Sequence, residues 1–242
     1  MNDSPPGERA TRHRHRGSRV ERRRLGLLAV TLVVAVIATR WLGFGGSTNN
    51  DTVLTTGNTT VLVPRVAGLS PMRQRIITIA EGQLGYATNP ASTDCNKFSA
   101  YWVSGASDCG NANLDEQWCA DFAAWVWQRA GAPVTYQFVN GDLNSSSASF
   151  YEWGEARGTW HPVGSGYKPQ PGDVAVYGLD TATLVAAHVA LVVGDVAGDR
   201  GPIAINGDGD LTGFSVVEVR ADEYFADTHP SGAPLSGYVA PG

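Results

Sequence analysis

Apolar positions along the chain change period twice. After Ser70-Pro71, an N-cap residue followed by proline at the first helical position, Ile76, Ile77, Ala80 and Leu84 recur at helical spacing until Gly85. A second helix is predicted over Trp118-Cys119-Ala120-Asp121-Phe122-Ala123-Ala124-Trp125-Val126-Trp127, with Gly131 and Pro133 ending it. Phe122, Ala123, Val126 and Ala130 share the face of Cys119, so a side chain at 119 should point inward. A turn-rich middle with a serine run, Ser145 to Ser147, follows. Then Asp173 to Tyr177, Val185 to Val193 and Pro202 to Asn206 read as strands, being short β-branched runs bounded by Gly and Asp. Helices first and strands later predict an α+β fold rather than an alternating α/β one.

A different pattern opens the chain. Eight arginines lie within residues 1–24, ahead of the apolar run Leu25 to Ala38. That run is fourteen residues, and Thr39 to Phe44 extend it to the roughly 20 that a spanning helix needs, with Arg40 able to snorkel. Arginine-rich flanks stay cytoplasmic, so the rest of the chain should lie outside the membrane. The same run also reads as a cleavable signal, with Val36-Ile37-Ala38 as a small-residue site. The expected organisation is a basic leader at 1–24, a transmembrane or signal helix at 25–44, a flexible linker at 45–68 and a folded domain at 69–242. Beyond residue 24 there are ten basic and twenty acidic residues. Such a domain repels phosphate backbones, which excludes nucleic-acid binding by the folded part. The 43% hydrophobic content excludes a wholly disordered chain.

Three cysteines on the exported side leave at least one unpaired or paired between molecules. Cys95 and Cys109 flank a loop-like segment whose closure by a disulfide would add ~3 kcal/mol on a chain-entropy account. Cys119 is then left over at the start of a helix, where backbone N–H groups and the macrodipole favour a thiolate. A nucleophilic thiol needs a base. His13 and His15 belong to the leader, and His161 and His229 neighbour prolines in loops. His188 alone interrupts an apolar strand, where both ring nitrogens require partners. A hairpin turning near residues 197–199 sets Asn206 or Asp208 across from His188, both on one face, and register alone does not choose between them. The bland alternatives are a buried structural cysteine and a satisfied core histidine.

The motif Trp118-Cys119-Ala120-Asp121-Phe122, with Trp125 and Ala130-Gly131, resembles the nucleophile helix of the CHAP domains, which are cysteine- and histidine-dependent amidohydrolases or peptidases. Pro169-Gln170-Pro171-Gly172-Asp173-Val174 resembles their motif leading into a strand, and His188 to Gly194 their histidine strand. Ser149 to Trp153, with Gly158-Thr159-Trp160, is similar to a segment between the two. The resemblance spans about Ser70 to Tyr238. It implies a papain-like α+β domain in which a nucleophile helix packs on a small antiparallel sheet. It also implies Cys119 as nucleophile and His188 as base. Many members carry Glu-Gly-Asn where this chain has Asn206-Gly207-Asp208, so Asn206 falls at the position that orients the histidine, and Asp208 can share the role. The implied substrate is peptidoglycan, cut at the muramoyl–L-alanine amide or within its peptides. A non-catalytic wall-binding scaffold and an amidase of a small peptide conjugate are the alternatives. No cofactor is implied. Asn206, Asp208 and Asp210 lack the glycine and closing glutamate of a calcium loop, and ligands for zinc are too few, so no metal is expected. Trp118, Trp153, Trp160 and Tyr177 stand as cleft-wall or packing residues; oligomeric state is not indicated.

Overall fold

Ser70 Oγ accepts from the Arg73 amide at 3.3 Å and starts helix α1, Pro71–Glu81, as its sequence predicts. The computed structural model describes residues 51–91, 93–103, 117–137, 141–195, 201–210, 215–221 and 233–242. The basic leader, the 25–44 helix, Cys109 and His229 lie outside the described residues. Among the described residues, no helix is long and apolar enough to cross a membrane. Three further helices follow: α2, Lys97–Val103; α3, Cys119–Ala130; and α4, Ala148–Arg157. Helix α3 closes on Gly131 at φ +93°, a left-handed cap that glycine adopts without a Cβ penalty.

The strands are β1 (Thr52–Thr56), β2 (Thr59–Val63), β3 (Trp160–Pro162), β4 (Val174–Tyr177), β5 (His188–Asp195), β6 (Pro202–Asp210), β7 (Ser215–Ala221) and β8 (Leu235–Val239). Six of them form an antiparallel sheet in the order β3-β8-β4-β5-β6-β7. The histidine strand β5 is therefore interior, hydrogen-bonded on both sides. Both its faces are covered, which is why Val189 to Val193 is apolar without alternation. Val189, Leu191 and Val193 join Ile203 and Ile205 in the main core beneath α3, with Phe122, Val126 and Trp127. Ala190 and Val192 face the other way, against Ala175, Tyr177, Ala204 and Tyr238. This is the expected α+β layout, with helix α3 packed on an antiparallel sheet.

One expectation needs correction. Residues 52–63, read as linker, form the β1–β2 hairpin. Leu54 and Val63 sit in the main core, and Thr56 Oγ1 accepts from the Val219 amide at 3.3 Å. The short apolar runs Val53-Leu54 and Val61-Leu62-Val63 on either side of Gly57, whose φ is +57°, form a hairpin hidden by its threonine content.

Candidate active site

The site begins where β6 meets the first turn of α3. Trp118, the N-cap residue, offers no side-chain cap. Its amide instead donates to Asp208 Oδ2 at 3.3 Å, and its indole donates to Ser215 Oγ at 2.7 Å. Ser215 Oγ in turn donates to Asp208 Oδ1 in a short bond. Asp208 holds a left-handed φ of +59° in the β6 bulge, so a carboxylate faces the positive end of the helix. Gly207 permits this close approach, since a Cβ there would stand 2.5 Å from Phe122 Cβ. Asp208 thus ties strand to helix, and the residue bonded to the histidine is Asn206.

His188 Nε2 and Asn206 Oδ1 are 3.0 Å apart. The amide oxygen only accepts, so Nε2 carries the proton and Nδ1 is the nitrogen whose lone pair can act as a base. Main-strand pairing runs Leu191 to Ile205 and Val192 to Ala204, so Asn206 meets the histidine on the diagonal of the same face. Burial pushes the imidazole below its usual range. The Asn206 bond and the charges of Asp208 and Glu218 act upward, and Arg220 acts downward.

Cys119 is a free thiol, 4% exposed, at the first residue of α3. Its sulfur lies 3.3 Å from Ser147 Oγ and is approached by the backbone amides of Val189 and Ala120. Val189 follows His188 in the chain, and Nδ1 is the ring nitrogen nearest the backbone. The sulfur therefore lies at the first residues of β5, the strand that opens with His188. The expected thiolate preference at this helix start is corrected. Burial pushes the thiol up to about 11, and nearby Asp208 adds to this, against the lowering by Ser147, Val189 and Ala120. At neutral pH the resting pair is a neutral thiol and a neutral imidazole.

Trp118, Trp153 and Tyr177 are at most 1% exposed. Trp118 stacks on Phe98 with centroids 5.4 Å apart, and Trp153 packs on Trp127 at 5.2 Å. These are core residues. Trp160 is half-buried against Tyr151. Cys95 is disulfide-bonded. Two site residues escaped the sequence reading. Ser147 lay in a serine run read as turns. Glu218, fully buried, lay on β7 at a position that its alternation with Val217 and Val219 assigns to solvent.

A comparison with protein families bears on this geometry. Residues 110–207 match the CHAP domain family model. That segment is a CHAP domain. The match takes in Cys119, Ser147, His188 and Asn206 and stops one residue short of Asp208. No curated protein matches the chain. The solved structure of NlpC2 from Trichomonas vaginalis is similar over 73% of this chain and 48% of that one, at 13% identity and a TM-score of 0.35. The chain thus spans about half of that protein's length, and so distant a likeness carries no argument.

Proposed function

We propose that the chain is a peptidoglycan hydrolase that cuts an amide bond, as a muramoyl–L-alanine amidase or a peptide endopeptidase, through a thioester on Cys119. The observation that carries this reading is the split use of His188. Nε2 is committed to Asn206 Oδ1 at 3.0 Å, while the Cys119 sulfur meets the amide of the residue after His188. His188 Nδ1 takes the thiol proton as sulfur attacks the carbonyl carbon. Because both groups rest neutral, proton transfer accompanies attack rather than preceding it. The oxyanion forms beside the first backbone N–H groups of α3, including that of Cys119, which have no partner within the helix. Collapse expels the amine, which takes the imidazolium proton. A water, deprotonated by His188, then cleaves the thioester, releasing the carboxylate and restoring the thiol. Asn206 holds the imidazole in the tautomer this needs.

The substrate follows from the CHAP assignment, and residues 1–44 would carry the domain to a wall outside the membrane, anchored or released. A wall-binding scaffold on the same fold is the second reading, favoured by a thiol held protonated and 4% exposed. Incubating the purified chain with sacculi and weighing released fragments separates them. Fragments with new amino termini, absent with Cys119→Ala, are expected of a hydrolase, and their masses also name the bond. Sacculi left intact by both proteins, while a small peptide amide is cut, would move the substrate to peptide conjugates. No cleavage of either would leave the scaffold.

A further inference from the structure

Asn206 supplies an amide where a protonated imidazole would gain more from a charge. Its Nδ2 is buried, without a hydrogen-bond partner among the described residues. Directly opposite on the neighbouring strand, in register with Asn206, stands Glu218. Side chains paired in this way have Cβ atoms about 5 Å apart. The Glu218 side chain is 1% exposed. Its carboxylate lies over Gly209, where any Cβ would overlap it. The β6 bulge between Asn206 and Gly209 thus gives a carboxylate room beside the site.

We propose that Glu218 is a positioning residue that supplies, from its place beside Asn206, the negative charge stabilising the His188 imidazolium. The inference rests on the hydrolase reading for its consequence in catalysis, though not for the charge coupling itself. Arg220, its side chain 11% exposed, forms a short ion pair with Glu218 Oε1. The groups facing Glu218 are His188 from β5, Asn206 and Asp208 from β6, and Arg220 on its own strand. From the helix layer Cys119 interacts with Asp208. The β1–β2 hairpin meets β7 through uncharged Thr56, and Arg65 near its end is engaged with Glu81. Glu218 and Arg220 act on the imidazole in opposite directions, upward and downward respectively.

Those opposite signs make the test. His188 is titrated by NMR in the full chain, its resonance identified by its loss in His188→Asn. Glu218→Gln should lower the His188 pKa by about one unit, a tenfold drop in proton affinity. Arg220→Gln should raise it. On sacculi, Glu218→Gln should cut kcat about tenfold with KM unchanged, and the pH profile should shift with the titration. Asn206→Asp/Glu218→Gln, which moves the carboxylate one strand over, should restore both. A general loosening of the fold would not move two substitutions in opposite directions. A folded Glu218→Gln protein with an unmoved titration overturns the proposal. If that protein does not fold, an unmoved or lowered titration in Arg220→Gln overturns it. Shifts of the expected sign in a chain that leaves sacculi intact would sink the hydrolase reading and keep the coupling.

Discussion

At Cys119 two effects oppose one another, and burial wins. A helix start favours a thiolate by a few tenths to about 1 kcal/mol. Removing the sulfur from water and placing it near Asp208 costs the thiolate more, hence a thiol at about 11. Iodoacetamide should therefore label Cys119 slowly below pH 8, with a rate still climbing beyond pH 10; a plateau at neutral pH would contradict this. Ser147 lowers the thiol, so Ser147→Ala should slow labelling further at a given pH. Stability carries the same signature. A thiol raised above its unfolded value of 9.0 contributes stability below pH 9 that is lost as pH rises through about 11. Urea unfolding at pH 8 and pH 10.5 should show the wild type losing on the order of 2 kcal/mol relative to Cys119→Ser, whose hydroxyl does not titrate. His188 has the opposite sign. Its depressed pKa contributes stability above 6.5 that is lost as pH falls, so His188→Asn should be less acid-sensitive than the wild type.

Among the elements, those with an unbroken apolar period were legible in the sequence. Helices α1 and α3 and strands β4, β5 and β6 fall where Ile76, Phe122, Val174, Val189 and Ile203 place them, within a few residues. Helix α4 was not, because its buried positions are Ala148, Ser149, Phe150, Trp153 and Gly154, small and polar residues mixed with two aromatics. In strand β7 Glu218 and Arg220 stand at the polar positions of an alternating run, and no hydropathy pattern reveals their burial as an ion pair. That His188 and Asn206 meet on one face was legible from alternation, whereas the bulge turns Asp208 to the Trp118 amide. Which of the two partners bonds the ring was not, since it depends on the diagonal lean of one side chain and the bulge after Asn206. That bulge depends on Gly207. Gly207→Ala would drive β6 off Phe122, so a destabilisation of about 1–3 kcal/mol is expected by urea unfolding. Activity should fall more than stability, because Asn206 and Asp208 flank the displaced residue.

Over the described molecule, the amino-terminal hairpin and the CHAP segment share one core. Val63, 0% exposed, closes the main core beside β5, and a Cβ at Gly194 would press on it. Val63→Ala should cost on the order of 2 kcal/mol of stability while leaving the pH profile of hydrolysis in place, which urea unfolding and kinetics on sacculi would read separately. On the proposed mechanism, catalysis belongs to a unit assembled from α3, β5 and β6, and units of this kind are not additive. A double-mutant cycle over Cys119→Ala and His188→Ala, measured as kcat/KM on sacculi, therefore tests the central claim most directly. The account predicts that each single substitution abolishes cleavage to the same floor and that the double variant falls no further. Losses that multiply in the double variant, or a His188→Ala chain that keeps cutting, would contradict it.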